Sequence, residues 1–233
     1  LVHRGEFNTG PGNRNGNTRG LEDTIYFTGE EDGGFFNAVG GAEWALDVET
    51  GDLWQVPAMG RGAWENITAV DTGDKNTVAF ILADDSSPYD FDDDGADEAA
   101  PLFLYVGTKD RRGDFLARNG LRDGNLYVWV ADSGETLPSQ FNTSGTLTGR
   151  WMMIDNSKGP PEDDPLDYPD VLVGGELSGE EPDHTYTYDQ FGYPTQGNLW
   201  LQAKEKGAFG FSRPEDVAYN PDNPSEIVLA STG

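Results

Sequence analysis

The residues of this sequence that are best suited to chemistry lie near its carboxyl end. Arg213, Pro214, Glu215 and Asp216 follow one another between two strand-like runs. The proline ring fixes the backbone torsion of this turn. A guanidinium that lies beside carboxylates can hold an anion while the carboxylates hold a metal ion. The segment therefore predicts a site for a metal together with an anionic ligand.

A second candidate is an acidic loop at residues 84–100. Three aspartates at alternate positions precede Gly95, and this glycine permits the tight turn that folds their oxygens inward. Ca²⁺ takes about six to eight oxygen ligands, so the D-x-D-x-D-G pattern predicts a calcium site. The alternative is a solvated acidic loop, since the spacing is not that of a complete EF-hand. The candidate ligands are Asp90, Asp92, Asp94 and Asp97, with Glu98 as an alternative to Asp97.

Two further groups of carboxylates follow apolar runs. Glu30 and Glu31 come directly after the predicted strand Thr24–Thr28, and Glu65 lies in the segment W-E-N after a glycine-flanked arginine. Loops at strand ends commonly present side chains to ligands. Taken singly, each of these carboxylates is more often part of a solvated loop.

Short apolar runs, separated by glycine, proline, aspartate and asparagine, predict that β-strands position all these residues. One hairpin is clear, with Glu49–Asp52 as its turn between two strands. No amphipathic helix is evident. The predicted strands are Thr24–Thr28, Ala42–Val48, Asp52–Val56, Thr77–Ala83, Leu102–Gly107, Asn125–Ala131, Trp151–Ile154, Val171–Gly174, Asn198–Ala203 and Glu226–Ala230.

The fold class expected from this pattern is all-β, and a β-propeller is favoured over a sandwich or a barrel. Related hairpins of the form D-x-x-T/S-G-D/E follow apolar strands at separate positions, although the repeat is not strict. We expect residues 1–233 to form one propeller domain or a fragment of one, with a polar loop at residues 1–20. Residues 160–170 and 179–196 also have the composition of polar loops.

The composition excludes several functions. With 42 acidic against 15 basic residues and a formal net charge of −27, the chain is expected to repel nucleic acids and anionic membranes and to attract divalent cations. The absence of cysteine excludes disulfides and thiolate chemistry. No apolar run has the length of a membrane span. These features fit a secreted acidic domain that binds calcium.

Several motifs, taken in order, resemble the PhoX-type alkaline phosphatase family. The resemblance extends from about Asp23 to Gly233, and its most specific parts are the W-E-N and F-x-R-P-E-D blocks. The motifs are T-G-E-E, G-R-x-x-W-E-N, D-T-G, L-Y-V-G-T-K, G-x-L-Y-V, F-x-R-P-E-D and N-P-x-N-P.

This resemblance implies a secreted, calcium-dependent enzyme that has a six-bladed β-propeller and hydrolyses phosphomonoesters. In that family, carboxylates hold a cluster of iron and calcium ions. Carried over by motif, Glu30 or Glu31, Glu65 and Glu215 become candidate metal ligands. Arg213 becomes the candidate phosphate clamp, because its planar guanidinium matches two phosphate oxygens at once.

The sequence departs from the family pattern at two places. Gly29 stands where the family has a cysteine that bridges the irons, so the expected metal is Ca²⁺ and a role for Fe³⁺ stays open. The chain also begins at Leu1 and ends at Gly233, before the family's last blades. We expect the remaining propeller segment or a neighbouring subunit to complete the ring.

Two functions remain on this evidence. The first is a secreted, calcium-binding phosphoesterase that acts on phosphomonoesters at a multi-metal site. The alternative is an acidic component of an extracellular matrix, surface layer or filament, which has no catalytic activity and uses calcium-stabilised propeller subunits. The family motifs favour the first, whereas the missing cysteine and the extreme charge favour the second.

Overall fold

Antiparallel β-strands make up most of the computed structural model, which describes residues 1–8, 18–32, 39–91, 94–141, 145–159 and 188–232. A three-stranded sheet consists of β1 (Ile25–Gly29), β2 (Glu43–Asp47) and β3 (Leu53–Gln55). A five-stranded sheet, the central sheet, has the order β4-β5-β7-β8-β9. Its strands are β4 (Trp64–Val70), β5 (Thr77–Asp84), β7 (Phe103–Thr108), β8 (Gly124–Ala131) and β9 (Gly149–Ile154).

The remaining elements are short or lie outside these two sheets. β6 (Ala100–Pro101) pairs with β10 (Gly210–Phe211), and β11 (Pro214–Asn220) forms a hairpin with β12 (Asn223–Ser231). The α-helices are α1 (Phe115–Arg118) and α2 (Gln196–Lys206), and two 3₁₀ turns lie at Pro57–Met59 and Pro138–Gln140.

The sheets pack face to face in three layers. Phe80 and Ile81 are neighbours in β5, and their side chains therefore point to opposite faces of the central sheet. Phe80 packs against Phe27 of β1, with ring centroids 5.2 Å apart. Ile81 belongs to a separate buried cluster with Val217 of β11. The three-stranded sheet thus covers one face of the central sheet, and the β11–β12 hairpin covers part of the other.

The prediction of an all-β fold is confirmed at this level of description. Among the described residues the layers do not close into a barrel or a ring, so the propeller stays a prediction. The predicted strand Val171–Gly174 and most of the predicted polar loops lie outside the described residues.

One predicted strand is wrong, because Asn198–Ala203 lies inside the helix α2. Thr195 caps its start by accepting a hydrogen bond from the backbone of Asn198, and Gly207 ends it in the left-handed conformation. The short run L-W-L suggested a strand because a short apolar run does not by itself distinguish the two structures. The buried stripe has helical spacing instead and consists of Gln196, Leu199, Trp200 and Ala203.

The carboxylate of Asp84 fixes α2 to the central sheet. Asp84 is fully buried at the end of β5 and accepts hydrogen bonds from the side chains of Ser86 at 2.6 Å and Trp200 at 2.9 Å. The amide of Gln196 donates to both carboxylate oxygens at 3.1 and 3.0 Å, and the backbone N–H of Ala63 donates at 3.3 Å. Burial raises the pKa of Asp84, and these donors oppose that shift.

A second buried carboxyl lacks this support. Glu43 of β2 pairs with Gly29 of β1 in the three-stranded sheet and is 1% exposed. Its Oε1 atom has no hydrogen-bond partner in the structure. Burial raises the pKa of Glu43 to about 8, so this side chain is mostly neutral at pH 7.

We predict that Asp84→Ala lowers the free energy of unfolding by about 3 kcal/mol or more, because it leaves several buried donors without an acceptor. The control is Asp222→Ala at the exposed hairpin turn, which should change stability by less than about 0.5 kcal/mol. Equilibrium denaturation of both variants measures the difference. Equal losses would contradict the anchoring role of Asp84.

We also predict that Glu43→Gln becomes increasingly stabilising, relative to the wild type, as the pH rises. The folded protein holds a proton on Glu43 up to about pH 8, whereas the unfolded chain releases it near the model value of 4.5. Stability from the neutral acid is therefore fully present below the unfolded pKa and is lost as the pH rises through about 8. Denaturation curves across this range would contradict the prediction if the difference stayed constant.

Candidate metal and anion site

Main-chain hydrogen bonds bring three strand ends together. The N–H of Trp64 donates to the carbonyl of Glu30 at 3.0 Å, which ties the end of β1 to the start of β4. The N–H of Asp85 donates to the carbonyl of Ala63 at 2.9 Å. The residues that follow β1 and β5 are therefore held beside the first residues of β4.

The backbone of Arg213 is fixed against this junction from two sides. Its N–H donates to the carbonyl of Ser86 at 3.1 Å, and its carbonyl accepts from the N–H of Thr232 at 3.2 Å. Arg213 has a φ of 51°, a left-handed conformation that costs a residue with a Cβ atom about 1 kcal/mol or more. The two hydrogen bonds hold Arg213 in this conformation and so direct its side chain.

Three carboxylates converge at the junction. Oxygen atoms of Glu31, Glu65 and Asp85 all lie within 4.8 Å of one another. Glu31 and Glu65 are exposed, whereas the side chain of Asp85 is only 2% exposed. An open cleft of about 240 Å³ adjoins them and is lined by Gly29, Glu31 and Glu65, among others. This spacing of oxygen atoms suits shared ligation of one cation.

The guanidinium of Arg213 binds the same cluster through a bidentate contact. Its Nε and Nη2 atoms donate to the two oxygens of Asp85 at 2.9 and 2.8 Å. Nη2 also lies 3.0 Å from Oε1 of Glu215. The hydrogen bonds and charge of Asp85, followed by the charge of Glu215, raise the pKa of Arg213, so this residue stays cationic.

The crowding of negative charge is clearest at Glu65. Burial raises the pKa of Glu65 to about 7, and a hydrogen bond to Asp85 and the charges of Glu31, Asp85 and Glu215 act in the same direction. Near neutral pH a proton therefore partly occupies the cluster at this carboxyl. A divalent cation would compete with that proton.

The structure thus brings together most of the residues that the tail and family motifs indicated. Glu31, Glu65, Arg213 and Glu215 surround one junction, whereas Glu30 lies apart from it. The carboxylate of Glu30 accepts a hydrogen bond from the backbone N–H of Ala42 at 2.8 Å. Of the adjacent pair Glu30 and Glu31, only the second belongs to the cluster.

The acidic loop has a different arrangement. The carboxylate of Asp90 accepts from the backbone N–H groups of Asp94 and Gly95 at 3.1 and 2.8 Å. Asp94 is paired with the ammonium of Lys204 at 2.8 Å, and Asp97 is exposed. Within the described residues these aspartates form no close triad. Asp92 lies outside those residues, and calcium binding by this loop stays a prediction.

Sequence reasoning missed Asp85 as a member of the site. It was included only as part of the acidic loop, although it directly follows the buried Asp84 at the end of β5. Neighbouring residues of an extended chain point in opposite directions. A buried aspartate at the end of a strand followed by a second aspartate was the available signal.

Gly29 has a clear steric reason to lack a side chain. A Cβ atom at this position would lie 2.0 Å from the carbonyl oxygen of Trp64, because β4 crosses close to the end of β1. A cysteine therefore does not fit this backbone. The carboxylate oxygens of the cluster are hard donors that suit Ca²⁺.

Comparisons with family models, curated proteins and solved structures give no match to this chain. Among the described residues, no helix is long and apolar enough to span a bilayer. The function must therefore be argued from the geometry of the junction and from the sequence motifs.

We predict that Gly29→Ala lowers the free energy of unfolding by about 3 kcal/mol, because the added methyl group overlaps the backbone of Trp64. Gly51→Ala is the control, since Gly51 has a φ of 81° but no atom within 4 Å of its Cβ position. That substitution should cost only about 1 kcal/mol from backbone conformation. Similar losses in the two denaturation experiments would show that crowding at Gly29 is unimportant.

Proposed function

We propose that this chain binds a divalent cation of the calcium class at Glu31, Glu65 and Asp85. With Arg213, we propose, it acts as a secreted, PhoX-like phosphoesterase that hydrolyses phosphomonoesters. The observation that carries the proposal is the contact of a bidentate arginine with a triad of carboxylates whose oxygens lie within 4.8 Å of one another.

The balance of charge supports the cation. Four carboxylates, those of Glu31, Glu65, Asp85 and Glu215, surround the single guanidinium of Arg213. Like charges at this separation repel strongly when they are partly shielded from water. The raised pKa of Glu65, about 7, is the result in the absence of a cation. Bound Ca²⁺ would relieve the repulsion and displace the proton.

The arginine supports an anionic substrate. The side chain of Arg213 is 43% exposed, and among the described residues its Nη1 atom has no hydrogen-bond partner. A phosphate oxygen can accept from this edge while other phosphate oxygens face the cation. A metal ion in such a position lowers the pKa of a bound water and stabilises charge in phosphoryl transfer.

The propeller and the secreted location are parts of the same proposal. Face-to-face packing of three antiparallel layers, with the ends of β1, β5 and the start of β11 at one site, supports a radial arrangement of blades. The formal net charge of −27 supports an extracellular acidic protein. Because Gly29 supplies no thiolate, the proposal assigns Ca²⁺ to the cluster and leaves Fe³⁺ to be tested.

The alternative function remains an acidic extracellular matrix, surface-layer or filament protein in which calcium has a structural role. Its support is the position of Arg213, whose contact already occupies both oxygens of Asp85, together with the absence of a thiolate at Gly29. Under this alternative, calcium would link or stiffen subunits without catalysis.

The test is turnover of p-nitrophenyl phosphate with Ca²⁺, in the presence and absence of Fe³⁺. We expect Arg213→Ala to lower kcat/KM about a hundredfold, as expected for loss of a donor that stabilises the transition state. Arg122→Ala is the matched control, because Arg122 also makes a bidentate contact, with Asp114, and is 44% exposed. Activity should rise as the pH passes through about 7, where Glu65 loses its proton.

Two outcomes would contradict the proposal. Unchanged turnover in Arg213→Ala, with an active wild type, would refute the role of the arginine. A wild type that shows no turnover with either metal, but whose oligomers dissociate in EDTA, would favour the structural alternative.

A further inference from the structure

Asp85 has two competing partners at the junction. Its oxygens lie close to those of Glu31 and Glu65, and both of them also accept hydrogen bonds from Arg213. A cation in the triad and the guanidinium would therefore be two positive groups that share one nearly buried carboxylate. Their mutual repulsion would oppose simultaneous tight binding.

The side chain of Arg213 has a second carboxylate within reach. Oε1 of Glu215 lies 3.0 Å from Nη2, and the guanidinium is 43% exposed. The backbone of Arg213 is held by Ser86 and Thr232, so movement would be confined to the side chain. The guanidinium can thus leave Asp85 without losing every ionic partner and without any change in the fold.

We propose that Arg213 is the resident counter-cation of the carboxylate cluster and that a divalent cation displaces it from Asp85. The inference rests on the proposed function, because it assumes that the cluster is a cation site. The displaced guanidinium stays near Glu215 and presents more of its donors to an anion. Cation binding therefore precedes and promotes anion binding.

Thermodynamic linkage gives this device a measurable sign. If the cation loosens Arg213 from Asp85, an anion that binds Arg213 must raise the affinity for the cation by the same factor. Removal of the guanidinium must also strengthen cation binding, because Asp85 then has no competing partner. A purely structural salt bridge predicts the reverse, since its loss would disorder Asp85 and weaken the site.

The experiment is calorimetric titration of the full chain with Ca²⁺ at a pH above 7, with Glu31→Gln as the background for other acidic sites. We expect Arg213→Gln to bind Ca²⁺ about tenfold more tightly than the wild type. Arg213→Lys, which keeps the charge, should lie closer to the wild type. Arg122→Gln is the control and should leave the affinity unchanged.

A second titration adds inorganic phosphate below the concentration at which calcium phosphate precipitates. Phosphate should tighten Ca²⁺ binding to the wild type severalfold and should have no such effect on Arg213→Gln. Folded content of each variant is checked by circular dichroism.

The outcomes separate the two proposals. Ca²⁺ binding to the wild type, with equal or weaker binding to Arg213→Gln, overturns the counter-cation role and leaves the cation site intact. Absence of any binding that depends on Glu31, in both the wild type and Arg213→Gln, overturns the cation site and this inference with it. Binding to Arg213→Gln alone supports the inference in its strongest form.

Discussion

The buried carboxylate of Asp84 is the constraint on which the rest of this structure depends. It lies at the end of β5 and collects donors from the loop before β4, from Ser86 and from α2. A buried carboxylate is costly unless several donors satisfy it. Because these donors come from distant parts of the sequence, their union fixes the helix and both strands relative to one another. Asp85, the next residue, is thereby held at the candidate site.

The candidate site concentrates charge that the fold does not neutralise by itself. Arg213 offsets part of it through Asp85 and Glu215, and a proton on Glu65 offsets another part, as the raised pKa of about 7 shows. A site balanced in this way responds to cations, protons and anions together. That shared response connects the proposed phosphoesterase activity with the displacement of Arg213.

The sequence predicted more of the strands than of their connections. Alternating runs such as that of β8 identify strands because one face of each is buried. α2 was missed because one member of its buried stripe is Gln196, which is buried for its contacts with Asp84. β4 was missed because Glu65, Asn66 and Thr68 break its apolar character. In each case a polar residue has a partner that lies far away in the sequence.

What the sequence determined by itself is the all-β class, the acidic surface, the absence of thiolate chemistry and the identity of most candidate residues. These follow from local periodicity, composition and motif order. Only the tertiary structure separated Glu31 from Glu30, added Asp85 and joined Arg213 to it. The physical reason is that carboxylates from β1, β4, β5 and β11 meet through the packing of three layers, and the sequence spacing does not specify such distances.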